Sequence, residues 1–133
     1  MTEGELVARG DQLRTFQPSN PVEMEGFIRS LGDVIEDLPD VITDLLEARY
    51  AAERALRKKR QQRYLDHCKT MPSMRARAQS DLDAEAEYEA HDRARAAWHH
   101  ADTLLKALTT KLNALLNVNK GITAAYMSYG SRQ

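Results

Sequence analysis

Between residues 94 and 115 the side chains Ala94, Trp98, Ala101, Leu105, Leu108, Leu112 and Leu115 recur at alternating spacings of four and three. On an α-helix that spacing keeps all seven on one stripe, the seam of a coiled coil. Such a stripe is buried by packing against another helix, so helix-on-helix packing is the constraint the rest of the chain must meet. The pattern predicts a helix from about Leu82 to Val118, roughly 55 Å long at 1.5 Å per residue. Lys120-Gly121 supplies a stop, and a tail, ITAAYMSYGSRQ, follows with two tyrosines.

The partner helix lies upstream. From Asp40, the residues Val41, Ile42, Leu45, Leu46, Ala52, Ala55 and Leu56 recur at helical spacing. The stripe then lapses, with no apolar side chain between Arg57 and Arg63, and resumes at Tyr64, Leu65 and Cys68. Met71-Pro72-Ser73 breaks the helix, because proline cannot continue it. Ser80, with Asp83 three residues on, reads as the cap of the next helix.

Ahead of these arms, Asn20-Pro21 with Glu23 and Glu25 marks another helix start: a capping side chain, proline at the first position and negative charge in the first turn. That helix is expected to end at Leu31, with Gly32 as a left-handed cap, and a turn containing Pro39 follows. Residues 1–20 read as a flexible, polar, acidic segment and residues 21–133 as the helical domain. With 133 residues, abundant Ala and Leu and few bulky aromatics, the chain is one domain at most. The expected fold is all-α, a long antiparallel helical hairpin with short N-terminal helices. One hairpin buries one seam and leaves Leu104 and Leu116 partly uncovered, which predicts assembly into an oligomeric bundle or ring. The expected contact surface comprises Trp98, Leu104, Leu105, Leu108, Leu112, Leu115 and Leu116, with Ile122 and Tyr126 in the tail. Trp98 belongs to the core or to a contact between subunits, and is buried in either case.

Charge is distributed unevenly. Residues 54–77 carry nine bases against the single acid Asp66, while the first 47 residues carry eleven acids against three bases. The net charge of −1 hides both segments. The candidate anion-binding residues are Arg54, Arg57, Lys58, Lys59, Arg60, Arg63, Lys69, Arg75 and Arg77, with Tyr64 and Tyr88 as stacking faces for unpaired bases. In a hairpin bent near 72–79, the stretch 57–63 faces roughly 89–95, and cross-helix pairing there neutralises about two of the charges. Three readings fit the basic run: a nucleic-acid surface, an acidic protein partner, or a solvated face balanced by the acidic segment.

Other chemistry has little support. His91, His99 and His100 share one helix, but no histidine pair has the i, i+4 spacing of a chelate, and C-x-x-C and H-E-x-x-H are absent. His67 or Cys68 on the other arm faces the region of Ala84 and Glu85. Glu85, Glu87 and Glu89 are two apart on a helix and diverge. No nucleophile–base set or glycine-rich phosphate loop is present, so neither an enzyme nor a cofactor or metal is expected. The N-terminus lacks a signal-peptide pattern, no run reaches the length of a membrane span, and the lone Cys68 suits a reducing compartment, so a soluble cytoplasmic protein is expected.

Taken in order, ALRKKRQQRYLDHC on one helix, HDRARAAW on the next and LNALLNVNKGITAAYMSYGSR at the end resemble the recombination mediator proteins of T-even phages, the UvsY type. The resemblance covers roughly residues 40–132 and lies in order, spacing and character. It implies a homo-oligomeric ring in a bacterial host's cytoplasm that binds single-stranded DNA. It also implies help for a RecA-like recombinase in displacing a single-strand-binding protein. The family's basic motif falls on Arg57, Lys58, Lys59, Arg60, Arg63 and Tyr64, and its assembly region on the end of the last helix and residues 122–132. The chain departs from the family at TMPSMRARAQ, where a glycine- and acid-rich loop is expected, and in its denser arginine run. The contrasting expectation is a structural or adaptor coiled-coil oligomer without DNA binding, in which the arginines pair with acids of neighbouring subunits.

Overall fold

The computed structural model describes residues 1–131, the side chains at 119 and 122–131 excepted. The fold is all-α: α1 (Glu3–Thr15), α2 (Pro21–His67), α3 (Ser73–Asp83) and α4 (Glu85–Ser131), with no strand among the described residues. The chain divides into two compact units, one made of Met1–Val41 with Ala101–Gln133, the other of Ile42–His100. The expected division into residues 1–20 and 21–133 therefore does not describe the packing.

The first unit begins with a correction: residues 3–15, expected to be irregular, form α1. Thr2 Oγ1 accepts from the Glu5 N–H at 3.2 Å while the Glu5 carboxylate accepts from the Thr2 N–H at 3.3 Å, a capping box. Glu3 and Glu5 in the first turn and Arg14 in the last complement the helix dipole. Leu6 and Gly10, one turn apart, are its buried residues. A Cβ at Gly10 would sit 2.8 Å from Leu104 Cδ2, so this glycine lets α1 approach α4 closely. The far end of α1 is tied to α4 as well. Lys111 Nζ donates to the carbonyls of Leu13 (3.0 Å), Arg14 (2.8 Å) and Phe16 (2.6 Å), and lies 4.9 Å from the Phe27 ring centroid. Burial pulls the Lys111 pKa below the ordinary lysine value.

Helix α2 starts as the sequence predicts: Asn20 Oδ1 accepts from the Glu23 N–H at 2.9 Å. Glu23 in turn accepts from the Ser19 N–H and hydroxyl, which lowers its pKa. The expected stop at Leu31–Gly32 and turn at Pro39 do not occur. No described glycine or other residue has a positive φ, and the helix runs through Pro39. Phe27, Leu31, Val34, Leu38 and Val41 recur at alternating four and three, and all five are buried. At about 1.5–3 kcal/mol for each buried apolar side chain, that stripe outweighs the roughly 3 kcal/mol of an internal proline. Ala101, Leu104 and Leu108 complete this core from α4. Leu104, expected to be partly uncovered, is wholly buried because α1 covers it. Helix α4 also passes the expected stop at Gly121.

The second unit has a thin core: Leu56, Ala76 and Ala84, with Ser80. The chain leaves α2 by a short turn and re-enters helix after Pro72. Residues 73–83, expected to be mostly connection, form α3. Its inward residues, Ala76 and Ser80, are small and give no apolar stripe in the sequence. Ser80 is not the cap expected of it; it sits within α3 and donates its hydroxyl to the Ala76 carbonyl at 2.6 Å. The interruption falls at Ala84 (φ −95°, ψ 14°), after which α4 begins three residues later than predicted.

Candidate nucleic-acid interface

The basic run occupies the last third of α2, in the second unit. Arg57, Arg60, Gln61 and Tyr64 recur at helical spacing and line one wall of a groove of about 360 Å³. Arg77, Ser80 and Asp81 of α3 line the other. Three arginines therefore face one aspartate around a tyrosine. Helix α3 matters here because it carries Arg77 and Asp81 to the groove on consecutive turns.

The arginines divide into committed and uncommitted groups. Arg60 Nε donates to Asp81 Oδ1 at 2.8 Å, and Tyr88 Oη donates to the same oxygen at 3.3 Å. Both side chains of the Arg60–Asp81 pair are about half exposed (50% and 48%), so the pair is worth under about 1 kcal/mol and a phosphate can compete for the guanidinium. Arg63 is held more firmly. Its Nε donates to Asp83 Oδ2 at 2.9 Å, where His67 Nε2 also lies at 2.6 Å, while Gln79 donates to Oδ1 at 3.0 Å. These hydrogen bonds, from His67 first and then Gln79 and Arg63, hold the Asp83 carboxyl far below the usual carboxylate range. By contrast Arg54, Arg57, Lys58, Lys69 and Arg75 are exposed, Lys59 is half-buried, and none of the six forms an ion pair among the described residues.

Both tyrosines expected to offer stacking faces carry an arginine instead. Arg77 lies over Tyr64 and Arg60 over Tyr88, each at 5.7 Å from the ring centroid. Tyr64 also shares a hydrogen bond with Ser73 Oγ at 3.1 Å. A third such stack, Arg49 over Trp98 at 5.0 Å, stands elsewhere in the same unit. Guanidinium planes stacked on rings present donors edge-on and a flat cationic face, which suits contact with phosphates and unstacked bases.

The structure brings Arg57, Arg60, Tyr64 and Arg77 together and leaves Arg54, Lys58, Lys59, Arg63, Lys69 and Arg75 outside the groove. The expected register, 57–63 against 89–95, shifts toward the N-terminus of α4: Arg60 meets Asp81 and Tyr88, and Arg63 meets Asp83. The cause is α3, most of whose residues, 73–79, were assigned to the bend. Two cross-helix pairs form, as expected in number, but with Asp81 and Asp83 of α3 in place of partners within 89–95. His67 reaches Asp83, one residue from the predicted Ala84. Gln61, Gln79, Ser80, Asp81 and Asp83 are the participants the sequence reading missed.

Among the proposed contact residues, Leu104 and Leu108 lie in the chain's own core and are closed to a neighbour, while Trp98, Leu105, Leu112 and Leu115 are half-buried. Leu116, 37% exposed, borders a groove of about 690 Å³ with Pro18, Met24 and Ile28. Ile122 and Tyr126 lie outside the residues whose side chains are described. Among the described residues no cluster of three or more His, Cys, Asp or Glu could hold a metal ion, and no helix is long and apolar enough to cross a membrane. Comparison with protein-family models, curated proteins and solved structures returns no match.

Proposed function

We propose that this chain is a non-enzymatic, single-stranded-DNA-binding accessory protein that acts through the Arg57–Arg60–Tyr64–Arg77 groove. The observation that carries the reading is three arginines around one tyrosine with a single, half-exposed aspartate to neutralise them. The unpaired bases Arg54, Lys58, Lys69 and Arg75 lie outside the groove and widen the positive surface along which a strand can track. Stacking platforms and cationic grooves together favour unpaired strands over duplex, because only unpaired bases expose a π-face.

The role in recombination belongs to the same proposal. A protein of this kind holds the strand for a RecA-like recombinase and helps it displace a single-strand-binding protein, as the UvsY-type resemblance implies. The arms of the second unit, α2 paired with α3 and the start of α4, support a hairpin turned at residues 68–72. Several such hairpins in a homo-oligomer turn weak sites into tight binding. The half-buried leucines of α4 and Leu116 supply the contact surface. The protein works in the cytoplasm of a bacterial host.

One observation favours the structural reading: Arg60 and Arg63 are already paired with aspartates. In that reading the remaining arginines pair with acids of other copies. Competition between labelled oligo-dT and unlabelled single strand or duplex, with light scattering in parallel, separates the two. Preferential displacement by single strand from a stable oligomer supports the mediator reading. An oligomer that ignores both competitors and falls apart in salt supports the structural one, and a monomer contradicts both.

A further inference from the structure

The second unit contains another groove, of about 480 Å³, lined by Arg49, Asp92, Arg95, Ala96, Trp98 and His99. Its chemistry is unsatisfied. Arg49 Nε and Trp98 Nε1 are both shielded from solvent, and neither has an acceptor. Such orphaned donors are costly when nothing pairs with them, so the place they occupy calls for an acceptor. Neither Arg49 nor Arg95 forms an ion pair among the described residues, and together they outnumber the single acid, Asp92.

This groove repeats the device found at the first. Arg60 stacks on Tyr88 and Arg49 on Trp98, in each case an α2 guanidinium on an α4 ring. Arg49 and Arg60 are eleven residues apart on α2, which is three turns and brings them to the same face, roughly 16 Å apart. Tyr88 and His99 are likewise eleven apart on α4, with Asp92 and Arg95 between them at helical spacing. The two α2 arginines, one lining each groove, therefore lie along one side of α2, the first groove closed by α3 and the second by α4.

We propose that the Arg49–Trp98 groove is a second station for the strand bound at the first, and the inference rests on that reading of the first groove. Arg95 and His99 contact a phosphate, while a phosphodiester or base-carbonyl oxygen supplies the acceptor that the Arg49 and Trp98 donors lack. An unpaired base stacks on the half-buried Trp98 ring or on the guanidinium above it. Asp92 repels phosphate and turns the strand so that the base edge, with its N–H donors, lies on that side.

Trp98 is the chain's only tryptophan, so its emission reports this groove alone. Unlabelled oligo-dT of about twelve nucleotides, within the usual site sizes of single-strand binders, is titrated against the intact protein while emission is recorded. A fluorescein-labelled oligo-dT of the same length gives binding by anisotropy. Saturable quenching that tracks the anisotropy curve is expected. Arg95→Ala, an exposed change that leaves helicity intact, should weaken binding severalfold and lower the log–log salt slope by about 0.7, the value of one phosphate contact on a single strand. Binding by anisotropy with unchanged Trp98 emission overturns the second station and leaves the first groove standing. So does a change in emission with Arg95→Ala binding as the parent does. No binding at low salt overturns both.

Discussion

His67 Nε2 lies 2.6 Å from Asp83 Oδ2, a contact that ties the last turn of α2 to the end of α3. Because the carboxylate can only accept, the imidazole must carry its proton on Nε2. Arg63 and Gln79 complete the shell around the carboxylate and hold its pKa far below the usual range. Folding lowers this pKa, so its stabilisation is complete above the ordinary carboxylate value of about 3.9 and is lost only as pH falls from there toward the folded-state value. Thermal melts by circular dichroism should show Asp83→Ala several degrees below the parent from about pH 7 down to about pH 5, with the gap narrowing below about pH 4. A gap that widens on acidification contradicts this.

Lys111 offers a stability test in the first unit. Its ammonium group replaces the missing donors at the end of α1, bonding three carbonyls whose helical partners are absent. Lys111→Met keeps the apolar stem and removes the donors. It should cost about 1–2 kcal/mol, measured by urea unfolding, with faster amide exchange in α1 than in α4.

Gly10 tests how closely α1 packs. Adding a methyl group gains about 1 kcal/mol of helix propensity, but that methyl meets the buried Leu104 side chain at 2.8 Å. Gly10→Ala should thus be nearly neutral. Gly10→Val, with more volume and poorer propensity, should destabilise by about 1–3 kcal/mol. A stable valine variant would show that α1 does not pack as described.

The helical class was legible because Ala101, Leu108 and their neighbours repeat at three and four. The end of α2's first segment was misread because Gly32 and Pro39 are local signals, whereas the burial of Leu31, Val34 and Leu38 that overrides them is tertiary. Helix α1 had a readable start, Thr2-x-x-Glu5, but its inward face is Leu6 and a glycine, which no apolar pattern reveals. At the candidate site, Arg57, Arg60, Tyr64 and Arg77 were legible from charge and aromatic content. Asp81 and Asp83 were not, because their roles depend on α3, whose buried face is Ala76 and Ser80.

Asp81 occupies the Arg60 guanidinium, so in the proposed reading removing its charge should help a phosphate ligand. Asp81→Asn should change stability by under about 1 kcal/mol. It should raise oligonucleotide affinity severalfold, with a salt slope steeper by up to about 0.7. Unchanged affinity would mean that Arg60 does not meet the strand.

The most direct measurement is a fluorescence-anisotropy titration of labelled oligo-dT at low and at moderate salt, comparing the parent with an Arg57→Glu, Lys58→Glu variant. These two residues form no ion pair among the described residues, unlike Arg60 and Arg63, so reversing them should leave helicity and size unchanged. The parent should bind at low salt, weaken steeply as salt rises, and lose most of its affinity in the variant. A parent that is folded and oligomeric at low salt yet leaves the anisotropy unchanged would contradict the nucleic-acid reading of the groove.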